Sequence, residues 1–220
     1  MPICSLDAFP LLVTDASSVG ALAGIMGRDG WMAYHSEGGA TSKTFFASVQ
    51  HLLRETGLCI GDLQGFIFCE GPGSTMGIRI NCMAVRTWVW LNADQPPVYA
   101  YKSLEAMALI QWDRLGHPFA IFSDLRAGQW NAIRVDSQGR SSSVQVVTSK
   151  DLENWPDTRY HLRQRLYSPA APPGSRSQSY DIEPLHSPED FSGLIRRVET
   201  PKPFQTTAIT FKKWAPQRHR

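Results

Sequence analysis

Apolar and polar positions along this chain follow two alternating periods. Leu11-Leu12-Val13-Thr14-Asp15 is a short, nearly unbroken apolar run that ends on a carboxylate, the pattern of a buried strand. Val19 to Met26 predicts a second strand, Arg28-Asp29-Gly30 a hairpin turn, and Trp31 to His35 a third strand, so the chain opens as an antiparallel meander. The period then becomes helical. Phe45, Phe46, Val49, Leu52 and Leu53 share one face of a helix, with Thr41 or Ser42 as its cap and Gly57 as its stop. Phe66 to Cys69 reads as another buried strand. It breaks at Gly71-Pro72-Gly73-Ser74, and from Ile78 to about Asn92 there is no Gly or Pro, which predicts a second helix. Val98 to Ala100 is a short strand. Ser103 caps a third helix with Leu104, Met107, Ala108 and Leu109 inside.

Three antiparallel strands followed by helix, strand, helix, strand, helix is the order of the ribonuclease-H-like unit of actin-like (ASKHA) proteins, an α/β fold of mixed sheets and helices that usually occurs twice. A second copy starts at Phe119: Phe119 to Asp124 mirrors Leu11 to Asp15, and Trp130 to Val135 mirrors the second strand. Asp136-Ser137-Gln138-Gly139 is its hairpin, and Val144 to Val147 its third strand. Beyond this the pattern weakens. Tyr160 to Leu166 fits strand or helix, Ser168 to Tyr180 reads as a mobile loop rich in Pro, Ser and Gly, and Ser187-Pro188 starts a helix ending near Val198. The expected organisation is an N-terminal lobe over 1–115, a shortened second lobe over 116–200 and a basic tail over 201–220.

With 220 residues, 42% hydrophobic and 19% charged, the chain suits one large domain or two small lobes. The net charge of +2 is unevenly spread: Lys202, Lys212, Lys213, Arg218 and Arg220 crowd the end without an acid, which leaves the body mildly acidic. General nucleic-acid affinity of the body does not follow from this balance. The tail mixes cations with Trp214, which fits either an RNA contact or a solubilising terminus. The four cysteines form no CxxC, and Cys69 and Cys82 sit in apolar surroundings, as buried free thiols of a reducing compartment do. No stretch reaches membrane-span length and the start lacks a basic signal region, so a cytoplasmic protein is expected.

The strand–turn–helix at Gly71 to Ile80 aims backbone N–H groups and a helix N-terminus at one point. That suits either an anion or simply a tight turn, with Asp15, Gly71, Gly73, Ser74 and Gly77 as the candidate anion- or nucleotide-binding residues. It carries neither GK[ST] nor GxGxxG. In nucleotide-binding actin-like proteins a strand-end carboxylate is followed by a glycine. Asp15-Ala16-Ser17 and Asp124-Leu125-Arg126 both lack it, which favours a structural role for the aspartates. The six histidines form no HxxxH or HExxH, so no metal site and no cofactor are expected, and Ser74 reads as a helix cap rather than a nucleophile. The second helix is apolar almost all round, with Trp88 and Trp90 unable to point at one sheet. It needs cover from the second lobe or from another molecule, with Arg79 and Arg86 at the rim of such a contact.

Together these pieces resemble the TsaB (YeaZ) family, M22-glycoprotease-like partners in threonylcarbamoyladenosine synthesis on tRNA. Leu11 to Ser17 is similar to the family's Ile-Asp-Thr-Ser start, and Gly71-Pro72-Gly73-Ser74 with Gly77-Ile78-Arg79-Ile80 to its Gly-Pro-Gly-Ser-Phe-Thr-Gly-Val-Arg-Ile signature. Val98 to Ala108 resembles Val-Ser-Ser-Leu-Glu-Ala-Leu-Ala, and Asp124 to Trp130 resembles Asp-Ala-Arg-Arg-Gly-Glu-Val-Tyr. The likeness covers the first two-thirds of the chain, with a fainter echo from Lys202-Pro203-Phe204 onward. Glu70 stands where the family has Arg, and Thr75 and Met76 replace Phe and Thr.

The resemblance implies a non-catalytic scaffold that pairs with a catalytic TsaD-like subunit through the first two helices of each chain, together with a TsaE-like ATPase. It implies a homodimer in the partner's absence and at most indirect contact with tRNA. Carried onto this sequence, the partner-binding residues are Lys43, Ala47, Gln50, Arg54, Ile78, Arg79, Cys82, Val85, Arg86 and Val89. The runner-up role is a degenerate actin-like nucleotide- or anion-binding protein.

Overall fold

The computed structural model describes residues 6–126, 128–164 and 170–206. It contains two mixed sheets. The first is built from β1 (Leu11–Asp15), β2 (Ala21–Gly27), β3 (Gly30–Glu37), β4 (Gly65–Gly71) and β5 (Val98–Lys102), in the order β3-β2-β1-β4-β5. The β1–β2 and β2–β3 pairs are antiparallel; β1–β4 and β4–β5 are parallel. Helices α1 (Thr41–Thr56) and α2 (Thr75–Leu91) cover one face, where Leu12, Ile25, Phe66, Phe68, Leu52, Cys82 and Val85 form one core. Helix α3 (Ser103–Leu115) packs on the other face.

The second sheet repeats the plan: β6 (Phe119–Arg126), β7 (Gln129–Val135), β8 (Gln145–Thr148), β9 (Thr158–Leu162) and β10 (Arg176–Gln178) lie in the order β8-β7-β6-β9-β10, with the same parallel and antiparallel pairs. The chain therefore has the duplicated actin-like α/β fold. The shortening of the second lobe lies in its helices and not in its sheet. Where α1 has sixteen residues, α4 (Ser149–Glu153) has five, and among the described residues no helix joins β9 to β10. The two lobes share a core in which α3 lies between the sheets, with Leu104, Met107 and Ile110 against Val13, Ile67, Ile121 and Ile133.

Several local expectations are corrected. Ser103 is the first residue of α3 rather than its cap; its hydroxyl donates to the Pro72 carbonyl at 2.6 Å and ties α3 to the glycine turn. The N-cap of α1 is Ala40, with no side-chain bond. Part of the expected loop from Ser168 to Tyr180 is strand β10, because its residues extend a parallel ladder on β9. The last helix, α5 (Pro188–Ser192), stops at Gly193, and Arg196–Val198 then forms β11. This strand leaves the second-lobe segment and pairs antiparallel with β5 at the edge of the first sheet.

Candidate functional site

The two strand-end aspartates lie where the lobes meet, and both are buried and occupied. Asp15 accepts from the Ser17 N–H at 2.7 Å and from the Tyr101 hydroxyl at 2.6 Å, and it also accepts from the Tyr180 hydroxyl. Burial, with the Asp15 charge second, pushes both phenols well above their ordinary range, so they remain donors at any physiological pH. Asp124 bonds the Nε2 of His161 at 3.0 Å, and that imidazole stacks on Phe122. Gln164 reaches across the lobes and donates to the Ser17 hydroxyl at 3.2 Å.

The glycine turn packs onto the β1–β2 loop. Ser74 N–H donates to the Ser17 carbonyl at 2.7 Å, and the Ser74 hydroxyl caps α2 by accepting from Gly77 N–H at 3.3 Å. A Cβ on Gly73 would stand 2.1 Å from the Ser17 carbonyl oxygen, and one on Gly77 1.9 Å from that of Ala16. These glycines are therefore needed for backbone-to-backbone contact inside the fold. Of the candidate anion-binding residues, Asp15, Gly71 and Gly77 are buried, Gly73 and Ser74 are half-buried, and Gly73 alone borders an open space. That space is a cavity of about 260 Å³ between the lobes, bounded by Gly73, Thr75, Arg79 and Asn131 and closed on one side by Pro203–Thr206. The closing segment is anchored by Phe204 N–H on the Glu70 carbonyl at 2.8 Å and by the Thr206 hydroxyl on Asn131 at 2.7 Å. Lys102 lies over the Phe204 ring.

Glu70 is paired rather than repulsive. It forms an ion pair with Arg196 of β11, while its Oε1 is buried without a hydrogen-bond partner. Burial outweighs the attraction of Arg196 and Lys102, so its carboxyl titrates above the usual glutamate range. Cys69 and Cys82 are buried free thiols, with burial pushing Cys82 up to about 12; Cys59 is exposed. Among the described residues no three His, Cys, Asp or Glu side chains converge on one point, and no helix is long and apolar enough to cross a membrane.

The ten residues carried over as partner-binding split by helix face. Lys43, Ala47, Gln50, Arg54, Arg79 and Arg86 are exposed, and Val89 is half-buried. Ile78, Cys82 and Val85 are instead buried against the sheet, because they are the core-facing positions of α2. Other apolar side chains of the two helices are open instead. Met76 is 67% exposed, Met83 57% and Trp90 79%, with Leu91 and Phe46 also open. Met76, Ile80, Met83, Thr87 and Trp90 follow alternating steps of four and three, a narrow stripe along α2. Trp88 turns inward, stacking near Phe45 and Phe66 and meeting Phe46 edge-on.

No family model matches the sequence, and no curated protein does. Solved structures do. YeaZ from Pseudomonas aeruginosa is 21% identical, with a TM-score of 0.60 over 84% of this chain and 89% of that one. The fold is that of YeaZ. A structure described as an uncharacterized protein with similarity to peptidase YeaZ from Pseudomonas aeruginosa aligns likewise, at 20% identity and a TM-score of 0.60 over 79% of this chain and 87% of that one. On this YeaZ fold, the repeat of four and three on α2 is legible in the sequence, but Ile78, Cys82, Val85 and Val89 share it, so which stripe is open is not. The Tyr101 and Tyr180 hydroxyls on Asp15 are not legible there either, since Tyr180 is 165 positions away.

Proposed function

We propose that this protein is a non-catalytic scaffold subunit that binds the catalytic threonylcarbamoyl-transferase subunit of tRNA threonylcarbamoyladenosine synthesis. One observation carries this reading: an apolar stripe on α2, flanked by Phe46 of α1, is left open, while elsewhere among the described residues the exposed large apolar side chains are Val19 and Met32. The YeaZ fold and the motif resemblance from Leu11 to Trp130 support the catalytic subunit as the occupant. The occupied Asp15 supports the absence of a nucleotide-hydrolysing role for this chain, since a carboxylate holding two phenols and a backbone N–H has little capacity left for a metal–phosphate group. Buried free thiols and a tRNA-modifying partner suit work in the cytoplasm. A TsaE-like ATPase would join the assembly elsewhere.

The test is light scattering after gel filtration, with the chain alone and mixed with the catalytic subunit of the same organism. A one-to-one complex, lost in Met83→Asp, is the expected result. A wild-type chain that ignores that subunit would overturn the scaffold role. A second reading, anion or nucleotide binding, rests on the cavity beside Thr75 and Arg79. It predicts a rise in melting temperature with phosphate or ADP.

A further inference from the structure

The arginines of the second lobe are unevenly paired. Arg134 meets Asp157 at 2.6 Å and Arg140 meets Asp136 at 2.9 Å. From Thr158 to Tyr180, in contrast, the sequence holds Arg159, Arg163, Arg165 and Arg176 and no Lys, Asp or Glu. The acids at either end of this run are engaged elsewhere: Asp157 with Arg134, and Asp181 as acceptor of the Tyr34 hydroxyl at 2.7 Å. Arg165 lies outside the described residues; none of the other three has a carboxylate within ion-pair distance among the described residues. The Arg159 guanidinium donates to two neutral groups, the carbonyls of Leu152 and Pro173. Arg163 and Arg176 are exposed.

The fold gathers these residues at one sheet edge. Strand β10 is the edge, with Arg176 opposite Tyr160, Ser177 opposite His161 and Gln178 opposite Leu162 of β9. The Arg163 N–H continues the ladder onto the Gln178 carbonyl at 3.4 Å. Opposite residues share a face of a sheet, so Arg176 stands on the Tyr160 side and Arg159 and Arg163 on the His161 side, and the edge is positive from both faces. Ser177 and Ser179 are exposed beside them, and the outward backbone of β10 has no strand partner among the described residues. The end of the described chain lies on the same line across the sheet. Thr206 is tied to Asn131, and Asn131, Ser123, Leu162 and Gln178 are successive partners across β7, β6, β9 and β10. Three strand spacings put that anchor about 14 Å from the edge. Beyond Thr206 the sequence adds Lys212, Lys213, Arg218 and Arg220 and no acid.

We propose that the β9–β10 edge of the second lobe binds the phosphate backbone of a nucleic acid without reading its sequence, a direct contact where the family resemblance implies at most an indirect one. A guanidinium matches phosphate oxygens with two parallel N–H donors, and hydroxyls and backbone N–H groups are further donors to phosphate. Cations on an edge strand also deter pairing with another strand, but one charge fills that role, and four arginines without a lysine or an acid exceed it. The edge belongs to the other lobe from α1 and α2, so the proposal does not rest on the scaffold reading.

Fluorescence anisotropy of the full chain with labelled single strands of about 20 nucleotides, one RNA and one DNA, tests this. Micromolar binding at about 50 mM salt is expected, with the logarithm of affinity falling linearly against that of salt. Arg163→Glu/Arg176→Glu should weaken binding at least about ten-fold and flatten the salt slope by roughly 1.5. Arg163→Gln/Arg176→Gln, which adds no negative charge, should flatten the slope as much with a smaller loss of affinity. Arg79→Glu/Arg86→Glu on α2 should change neither. Whichever strand binds more tightly names the source of the backbone. No binding of either strand, a slope that the Arg163 and Arg176 variants leave unchanged, or a loss in the α2 variant overturns the proposal. So does equal displacement by polyglutamate, which would mark a place for an acidic protein, or binding abolished by Lys212→Glu/Lys213→Glu alone. The scaffold reading fails separately: a chain that binds nucleic acid and ignores the catalytic subunit removes that reading and leaves this one, and the opposite result does the reverse.

Discussion

Asp15 shows how a single carboxylate can be committed to structure. Its three donors come from the following turn, from β5 and from the segment after β10, so it joins both lobes. Asp15→Ala would strand two buried phenolic hydroxyls, each costing about 1–3 kcal/mol. The expected loss in urea denaturation is ~2–4 kcal/mol, with Asp15→Asn recovering most of it. An unchanged midpoint would mean that the carboxylate is not structural. ATP hydrolysis abolished by the same Asp15→Ala would restore a nucleotide role. Gly77→Ala places a methyl 1.9 Å from the Ala16 carbonyl oxygen, so backbone must move. Overpacking of this kind costs on the order of 2 kcal/mol, a drop in Tm of about 5 °C for a chain of this size, readable by calorimetry.

Glu70 gives a prediction with a sign. Its carboxyl is raised in the folded protein, chiefly by burial, so the folded state holds the proton more tightly than the unfolded chain does. The stability this contributes is full below the ordinary glutamate value of about 4.3 and is lost as pH rises through the higher folded value. Glu70→Gln removes that dependence, and Arg196, more than half exposed, keeps its solvation. Denaturation of the two proteins side by side should give similar stability near pH 4 and a growing advantage for the glutamine variant toward neutrality. A parallel pair of curves would show that Arg196 compensates the burial fully.

At the scale of elements, α2 serves two surfaces at once, and neighbouring residues on it have opposite roles. Val85 is wholly buried against β1 and β4 of the first sheet, whereas Met83, two positions earlier, is open. Val85→Asp should therefore unfold the chain, because an unpaired carboxylate would enter a dry core. Met83→Asp should keep the far-UV circular dichroism and Tm of the wild type while abolishing the complex with the catalytic subunit. Loss of folding in both variants would mean that the stripe is core. The short helices of the second lobe present no comparable open stripe among the described residues: the exposed large apolar side chains outside α1 and α2 are Val19 and Met32.

At the scale of the molecule, polar ties between the lobes include Tyr180 on Asp15, Gln164 on Ser17, Arg196 on Glu70, Tyr34 on Asp181, Trp31 on the Glu183 carbonyl and Thr206 on Asn131. Thr206 and Asn131 line the interlobe cavity, and Ser17 packs on its glycine turn. A cleft tied in this way favours a rigid platform over one that opens and closes on a ligand. A complex through α1 and α2 should bury roughly 1,600 Å² in total and leave the wall of the cavity at Pro203–Thr206 uncovered. Hydrogen exchange of the complex should protect amides on α1 and α2 while those of Gly73 and Phe204 keep the rates of the free chain.

The sequence by itself determined the order of strands and helices in the first lobe, the restart at Phe119 and the buried thiols, because period, turn residues and apolar runs are local properties. It also placed Ser74 as a cap and Gly57 as a stop, since both act within one turn of helix. Only the tertiary structure decided that Tyr101 and Tyr180 occupy Asp15, that Arg196 returns to the first sheet to pair with Glu70, and that β10 exists at all. Those contacts close loops of eighty residues and more, or depend on a neighbouring strand, and leave no periodic trace. The same holds for α2. Its all-round apolarity predicted two buried sides, but which side met the sheet was set by packing on β1 and β4, and that choice put Val85 inside and Met83 outside.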